Sequence, residues 1–239
     1  LRILLFHPNA EIVFVTGNEH AGKSVTDVHR NLNSLTDLQF TAITDDLSEL
    51  GEIEVAFFGL PHGQALELVP RLQSGVKAID LSGDFRINDP GIFEAFYKKP
   101  HAGELQKKFV YGLTETNREA IARAGHIANP GCFATAVSLA LSPLIAKGLV
   151  TGKLIVDAKT GSSGSGAKSA ANTHHPQRVN SFYAYKPFSH QHVPEIEQHL
   201  GSLGTLEEPL VFMTHSLPVS RGIFATCYAA LDREITREE

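Results

Sequence analysis

The amino-acid sequence predicts an α/β protein, with a doubly wound parallel sheet in its first half and a second domain of different character. Two features of the first half support this prediction: short apolar runs rich in Val, Ile and Phe, and helix-forming segments between them. Strands that alternate with helices in this way are typical of a parallel sheet. The predicted strands cover residues 11–16, 38–43, 53–59, 76–81 and 126–128, and the predicted helices cover 64–73 and 115–124.

The second half is predicted to form a separate domain. A helix from about residue 133 to residue 147 comes first, and three longer strands are predicted at 153–160, 210–215 and 223–231. Residues 161–181 form a Ser/Gly/His-rich segment, and loops of that length inside a compact domain are usually functional or disordered. We expect the domain boundary at Pro130–Gly131, which divides the chain into residues 1–131 and 132–239.

Composition and charge exclude several classes of function. The chain has 239 residues, 42% of them hydrophobic, and a net charge of −5 without a basic run, so neither nucleic acid nor an anionic membrane is an expected partner. The longest apolar stretch, residues 132–146, is interrupted by polar residues and is too short to span a bilayer. Two cysteines exclude a disulfide framework and a cysteine-rich zinc site, and they fit a reducing, cytoplasmic location.

The clearest chemical signal is Cys132, at a predicted strand–turn–helix junction. In His126-Ile-Ala-Asn-Pro-Gly-Cys-Phe-Ala-Thr-Ala136, a strand ends, Pro130-Gly131 forms a turn and Cys132 opens an apolar helix. The free N–H groups and positive dipole end of a helix N-terminus stabilise a thiolate, which makes a cysteine nucleophilic near neutral pH. We therefore predict a catalytic Cys132, whereas Cys227 lies inside a predicted strand and is interpreted as a small apolar residue.

A thiol nucleophile needs an acid–base partner, and His190 and His192 are the best candidates. Ser189-His-Gln-His-Val-Pro-Glu-Ile-Glu-Gln198 places both on a loop before a predicted helix that has proline in its first turn. A metal site formed with His174-His175 is the alternative, although no complete zinc-ligand pattern is present. The sequence therefore favours acid–base chemistry.

Three polar loops follow predicted strands, at the edge where α/β sheets bind ligands. They are Leu60-Pro-His-Gly63, Asp80-Leu-Ser-Gly-Asp-Phe-Arg86 and Gly161-Ser-Ser-Gly-Ser-Gly-Ala167. Glycine lets the backbone approach a ligand closely and serine donates hydrogen bonds, although a Gly/Ser run by itself is more often a flexible loop. We expect residues 60–63 and 161–166 to face the same cleft as Cys132 and His192.

These segments together identify a family resemblance. Ala128-Asn-Pro-Gly-Cys-Phe-Ala-Thr-Ala136, with Leu139 and Pro143, closely resembles the active-site signature of the N-acetyl-gamma-glutamyl-phosphate reductases, the NADP-dependent, semialdehyde-forming enzymes of arginine biosynthesis. Further segments resemble that family in order along nearly the whole chain: His7-Pro-Asn-Ala-Glu-Ile, Ala21-Gly22-Lys23, Leu60–Gly63, Asp80–Arg86, Tyr111-Gly-Leu113 with Glu115, His190-Gln-His-Val-Pro-Glu-Ile196 and Arg221-Gly-Ile223.

The resemblance implies a dinucleotide-binding domain over residues 1–131, a glyceraldehyde-phosphate-dehydrogenase-like α+β catalytic domain over 132–239, and a homo-oligomer. It implies that Cys132 is the nucleophile and His192 the general acid/base. The implied substrate-binding residues are Arg86, Asn129, His190 and Arg221. The implied residues for the NADP cofactor are Thr16, Leu60, Pro61, His62, Gly63, Ser82, Ser163 and Gly164. No metal is implied.

The implied reaction is the reductive dephosphorylation of a small acyl phosphate through a thioester on Cys132. We expect backbone N–H groups at the start of the Cys132 helix to hold the oxyanion, and His192 to move the protons of the thiohemiacetal step. Because the net charge gives no overall steering, Arg86 or Arg221 is expected to recognise the anionic substrate.

The ends of the chain and one local departure from the family bear on the cofactor. The family's glycine-rich phosphate loop is expected before Leu1 and the rest of its catalytic domain after Glu239, so these 239 residues are expected to bind the cofactor poorly. Thr16-Gly17-Asn18 stands where the family often has Ser-Arg for the 2′-phosphate of NADP, which leaves NAD open.

The acyl group and the type of reaction are open as well. His174-His-Pro-Gln-Arg178 and Tyr185-Lys-Pro187 are more similar to a branch that acts on carrier-protein-bound glutamyl or aminoadipyl phosphates in lysine biosynthesis. From the residues alone, the chain fits two further classes of protein: a hydrolase or acyltransferase built on Cys132 and His192, and a non-catalytic interaction module.

Overall fold

The structure is a computed structural model that describes residues 1–44, 47, 51–166 and 170–236. Its contacts divide the chain into two compact units, Leu1–Ala56 with Glu67–Ala78, and Phe57–Leu66 with Ile79–Glu239. This division differs from the expected boundary at residue 131, because the loops after two strands of the first half pack with the second half.

The first unit contains a two-stranded parallel sheet. Strand β1 (Val15–Thr16) pairs with β2 (Phe40–Thr41), and helix α1 (Val25–Val28) packs against them through a core of Val25, Leu32 and Phe40. Both predicted strands exist but are only two residues long, because each has a single pairing partner in this sheet. A 3₁₀ turn, Leu4–Phe6, precedes β1.

A four-stranded sheet has the order β3-β4-β6-β5. Its strands are β3 (Val55–Phe58), β4 (Lys77–Asp80), β5 (Phe109–Tyr111) and β6 (His126–Ala128). The β5–β6 pair is parallel, as predicted for the first half. Helices α2 (Ala65–Leu68), α3 (Pro90–Tyr97) and α4 (Thr114–Arg123) lie between these strands in the chain. The predicted helix 64–73 is shorter than expected, since it tightens into a 3₁₀ turn at Val69–Arg71, where Pro70 lies.

A second four-stranded sheet has the order β10-β7-β9-β8 and mixed strand directions. Its strands are β7 (Val150–Thr160), β8 (Tyr183–Tyr185), β9 (Val211–Ser216) and β10 (Ile223–Leu231). Strands β7 and β9 run parallel, whereas β10 and β8 are antiparallel to their neighbours. Helices α5 (Cys132–Ala146) and α7 (Val193–Gly201) cover one face, and the short α6 (His175–Arg178) precedes β8.

The core of the second unit lies between this sheet and its two long helices. It includes Phe133 and Val137 of α5, Ile196 of α7, and Val156 and Phe212 of the sheet. This packing sets the start of α5 beside the start of α7. Among the described residues, no helix has the length and apolar character needed to cross a membrane.

Candidate active site

Cys132 opens α5, as predicted. Strand β6 ends at Ala128, and Gly131 is the N-cap residue of the helix, with its carbonyl accepting a hydrogen bond from the Thr135 N–H at 2.8 Å. The Cys132 side chain is exposed, so a substrate can reach the sulfur. The strand–turn–helix junction therefore presents a thiol at the end of a parallel strand.

His192 packs directly against the residue before Cys132. A Cβ placed on Gly131 would lie 2.5 Å from Cε1 and 2.8 Å from Cδ2 of the His192 ring, so only glycine allows this close approach. The His192 ring also makes a T-shaped contact with Phe133, the residue after Cys132, with centroids 6.2 Å apart. The His192 ring, which is 7% exposed, therefore contacts the residues on both sides of Cys132, and its action on the thiol stays a prediction.

The pKa of the Cys132 thiol differs from the expectation. Desolvation raises it above the usual value, and hydrogen bonds from the backbone N–H groups of Phe133 and Cys132 lower it less than desolvation raises it. The N–H groups at the start of the helix therefore lower the thiol pKa, as expected, but by less than desolvation raises it. Because these N–H groups serve the sulfur, and the Gly131 N–H is bound elsewhere, the expected oxyanion donors at this turn are already engaged.

Both histidines are held neutral. Burial, with a contribution from Lys186, lowers the pKa of His190 to about 4. Burial and the neighbouring His190 lower the pKa of His192 to about 2. The His190 Nδ1 accepts the His192 backbone N–H at 3.2 Å, and the two rings meet edge to face. Since the thiol pKa is raised and the imidazole pKa is lowered, this structure holds a neutral thiol beside a neutral imidazole.

A buried glutamate, Glu195, joins the turn to α7. Its Oε1 accepts the Gly131 N–H at 2.7 Å and the Tyr111 hydroxyl at 2.8 Å, and its Oε2 lies 3.5 Å from Nη1 of Arg86. Burial raises the pKa of Glu195, and Arg86 and the two hydrogen bonds oppose that shift. Sequence reasoning placed Glu195 only in the first turn of a helix, where acidic residues are common, and so gave it no role.

Arg86 points into the protein. It is 5% exposed, and its Nε and Nη2 donate to the carbonyls of Asn129 and Leu81 at 2.7 and 2.9 Å, while Nη1 faces Glu195. The Asn129 amide donates to the Pro130 carbonyl at 3.1 Å. This arrangement differs from the expectation that Arg86 binds substrate, because three of its nitrogens already contact protein groups.

The loops after β3 and β4 are joined by part-buried hydrogen bonds. Asp84 accepts the Gly63 N–H at 2.7 and 2.8 Å, and the His62 Nδ1 accepts the Gly83 N–H at 2.8 Å. The Ser82 hydroxyl donates to Asp80 at 2.8 Å and accepts the Asp84 N–H at 3.1 Å, so this side chain is used internally. Of the predicted cofactor residues here, the exposed ones are Pro61 and His62, with Leu60 and Gly63 half-buried.

The loop after β3 has an open backbone and a positive charge close to it. A Cβ at Gly59 would meet nothing within 4 Å, so the backbone at the end of β3 is open to close approach. The exposed Lys99 side chain lies 3.5–4.0 Å from the Cβ position of Gly63, which supplies a positive charge. An open backbone at a strand end with an adjacent ammonium fits a phosphate-bearing cofactor.

Residues 161–165 pack on the turn before β10. The N–H groups of Gly161 and Ser163 donate to the carbonyls of Gly222 and Ser220 at 3.0 and 2.9 Å, and a Cβ at Gly161 would lie 2.8 Å from the Arg221 nitrogen. Arg221, Ser163 and Gly164 are exposed. Ala167, at the end of the predicted Gly/Ser loop, lies outside the described residues. That this loop faces Cys132 stays a prediction.

The other predicted positions are separate from this group. Thr16 ends β1 in the first unit, where it is half-buried and paired with Thr41. His174 and His175 line a cavity of about 460 Å³ formed by residues 170–175. Within residues 1–44, 47, 51–166 and 170–236, no cluster of three or more His, Cys, Asp or Glu side chains is placed to hold a metal ion.

Lys186 is an exposed cation near the histidines that sequence reasoning did not select. Its backbone is left-handed, with φ at 44°, and its Nζ donates to the Gln191 side chain at 2.8 Å. After burial, which is the largest cause in each case, its charge helps to lower the pKa of His62, His190 and His192. Lys186 therefore supplies positive potential where these three side chains lie.

Comparison with known proteins gives two family models that together cover most of the chain. Residues 1–124 match the semialdehyde dehydrogenase NAD binding domain, and residues 132–239 match the semialdehyde dehydrogenase dimerisation domain. The NAD binding domain model agrees with the predicted nicotinamide cofactor.

Relatives with high identity are N-acetyl-gamma-glutamyl-phosphate reductases. The protein of Bacillus cereus (strain B4264) is 42% identical over 239 residues, covering 98% of this chain and 69% of its own length. That of Nitrosococcus oceani is 43% identical over 242 residues, covering 100% and 70%. That of Methanococcus maripaludis (strain C6) is 39% identical over 244 residues, covering 100% and 70%.

Solved structures share the fold at low identity. Aspartate semialdehyde dehydrogenase II from Vibrio cholerae has a TM-score of 0.65 at 16% identity, covering 94% of this chain and 67% of that one. Aspartate semialdehyde dehydrogenase with NADP from Candida albicans has a TM-score of 0.62 at 15% identity, covering 98% and 68%. These matches confirm the predicted fold class.

Proposed function

Because the chain belongs to the N-acetyl-gamma-glutamyl-phosphate reductase family, we propose that it reduces N-acetyl-gamma-glutamyl phosphate to N-acetylglutamate semialdehyde in arginine biosynthesis, with NADPH as the reductant. The observation that carries this proposal is the exposed Cys132 thiol at the start of α5, beside the neutral His192 imidazole. A nucleophile and a proton acceptor placed together are what acyl transfer requires.

In the first half-reaction, Cys132 is the nucleophile. As its sulfur attacks the γ-carbonyl, the thiol proton moves to the His192 imidazole, which is neutral before the step. The S–C bond forms, the C–O bond to phosphate breaks, and phosphate leaves with the electron pair. The N–H groups of Phe133 and Cys132 favour the anionic sulfur as the proton leaves.

In the second half-reaction, a nicotinamide cofactor held by the loop after β3 would supply hydride to the thioester carbonyl. Throughout this step His192 keeps the proton that it took from the thiol. The resulting thiohemiacetal is an alkoxide; as it collapses, the C–S bond breaks, the aldehyde leaves, and the released thiolate takes the proton back from His192. A positioned acid–base group of this kind contributes about 10²–10⁴-fold in rate.

Substrate recognition needs a cation that lies exposed, where the substrate can reach it. Arg86 is tied to protein groups, whereas Lys186 is exposed and close enough to His190 and His192 to lower their pKa. We therefore assign the substrate's anionic group to Lys186, with Arg221 and His190 as further substrate-side residues and Asn129 and Arg86 shaping the site. Asn129 precedes the Pro130–Gly131 turn.

The cofactor is assigned to the open loop after β3. Leu60, Pro61, His62 and Gly63 would hold it with Lys99, while Ser82 acts through its buried contacts with Asp80 and Asp84. Thr16, Ser163 and Gly164 stay proposed contacts. The two family models support a nucleotide-binding domain over 1–131 and a catalytic domain over 132–239, and the dimerisation model supports a homo-oligomer.

The test is an assay in both directions. The full-length protein should oxidise NADPH when N-acetyl-gamma-glutamyl phosphate is added, and it should reduce NADP⁺ when N-acetylglutamate semialdehyde and phosphate are added together. The Cys132→Ala variant should do neither. Phosphate release that continues without any nicotinamide cofactor would contradict the proposal, because it would indicate a hydrolase.

A further inference from the structure

Glu195 is a buried carboxyl group for which the proposed reaction has no direct use. It is 0% exposed, and it collects donors from three separate segments: Gly131 in the nucleophile turn, Tyr111 at the end of β5, and Arg86 after β4. A buried carboxyl group costs stability unless donors compensate it. We therefore ask what the buried Glu195 side chain contributes in return for this cost in stability.

The geometry connects Glu195 to the two reacting side chains. Glu195 lies three residues after His192, on the first turn of α7, and its Oε1 holds the Gly131 N–H at 2.7 Å. The His192 ring occupies the space that a Cβ of the same glycine would need. The N-cap residue of α7, His192, and Glu195 in its first turn therefore both contact Gly131. Gly131 directly precedes Cys132.

We propose that Glu195 is a positioning residue that locks the Pro130–Gly131 turn onto α7 and so sets the distance between the Cys132 sulfur and the His192 imidazole. The expected effect on kcat rests on the proposed function, whereas the hydrogen bond that holds the turn on α7 does not depend on it. By binding the Gly131 N–H, Glu195 also keeps that group from competing for the sulfur or the substrate oxygen.

Only a carboxylate satisfies all three neighbours. The Gly131 N–H and the Arg86 guanidinium can only donate, and the Tyr111 hydroxyl donates to the same oxygen that Gly131 uses. Glutamine would direct an NH₂ group at one of these donors. The Glu195 charge also reaches the sulfur, since it is among the causes that raise the pKa of Cys132, after burial.

The same helix offers a matched control in Glu197. Its Oε1 accepts the Leu210 N–H at 2.8 Å, a backbone hydrogen bond of the same kind, but Leu210 lies next to β9 and not beside Cys132. Glu195→Gln and Glu197→Gln therefore make the same chemical change two residues apart. Glu197 is less buried than Glu195, so Glu197→Gln measures what the loss of one backbone hydrogen bond on this helix costs away from Cys132.

The experiment measures two properties of each variant. Alkylation of Cys132 by iodoacetamide, followed on its peptide by mass spectrometry across a pH series, reports the thiol pKa without any substrate. Glu195→Gln should lower the midpoint by roughly half a pH unit or less, because a negative charge that acts weakly on the thiolate, and against Arg86, is lost. It should also lower kcat by about 10²-fold with KM changed far less, because the reacting groups are misplaced by about 1 Å. Glu197→Gln should leave the midpoint and kcat unchanged.

The outcomes separate this inference from the proposed function. An unshifted alkylation midpoint with unchanged kcat in Glu195→Gln, or an equal loss of kcat in Glu197→Gln, would overturn the inference while reductase activity stands. A shifted midpoint in a protein that never reduces the acyl phosphate would support the locked geometry and overturn the reaction. If Glu195→Gln does not fold, Tyr111→Phe removes one donor to the same oxygen and keeps the carboxylate, so it should lower kcat by less than Glu195→Gln does while the alkylation midpoint stays in place. An unchanged kcat there would overturn the inference.

Discussion

Replacing Gly131 by alanine should displace His192 and nearly abolish turnover. The new Cβ would lie 2.5 Å from Cε1 and 2.8 Å from Cδ2 of the His192 ring, whereas carbon atoms pack at about 3.5 Å or more. The ring must therefore retreat by about 1 Å, into a site where it already contacts Phe133 and His190. A displacement of about 1 Å at a catalytic group costs about 10²-fold in rate, and overpacking costs about 1–3 kcal/mol of stability.

Steady-state NADPH oxidation and a thermal melt would measure these two effects. Gly125→Ala is the matched control, because a Cβ there meets nothing within 4 Å and its φ is not in the left-handed region. The control should keep the wild-type kcat. If Gly131→Ala folds and keeps its kcat as well, then His192 does not act as the acid–base group.

Three further predictions follow from the charges. Burial raises the pKa of Asp80 from 3.8 to about 6. As pH rises, the Asp80 carboxyl of the unfolded chain therefore loses its proton before that of the folded protein. The free energy of unfolding should fall by about 3 kcal/mol between these two pH values. Asp80→Asn should remove that pH-dependent part in denaturant unfolding, and an unchanged slope would contradict the assignment. Lys186→Ala should raise KM for the acyl phosphate by about tenfold or more with little change in kcat; initial-rate kinetics would test this, and an unchanged KM would exclude Lys186 from substrate binding. Asp84→Asn should weaken NADPH binding, measured by cofactor fluorescence, because both short contacts to the Gly63 N–H come from the Asp84 carboxylate; unchanged binding would separate this loop from the cofactor.

The fold could be predicted where an element is long or strongly patterned. The prediction of a strand at 223–231 matches β10, and the prediction for 115–124 differs from α4 by one residue at each end. Strands β5 and β8 were not predicted, and each is only three residues long. Helix α3 was also missed, although Asp89 before Pro90 is a typical helix start, and the Asp89 side chain accepts the Ile92 N–H.

The site could be predicted only in part. Cys132 and His192 stand out because a turn and a helix start are visible in the sequence. Glu195 does not, since its hydrogen bonds join Gly131, Tyr111 and Arg86, residues from 64 to 109 positions away. The direction of the Cys132 pKa also depends on desolvation by tertiary packing, which local sequence does not encode.

The central claim is that Cys132 carries the acyl group. The most direct measurement is to mix the protein with N-acetyl-gamma-glutamyl phosphate in the absence of NADPH, quench it in acid, and map the adduct by mass spectrometry. The mechanism predicts about one N-acetylglutamyl group per chain, on the Cys132 peptide, with an equal burst of phosphate. It predicts no adduct and no burst in Cys132→Ala. An acyl group found on another residue, or phosphate release that survives Cys132→Ala, would contradict it.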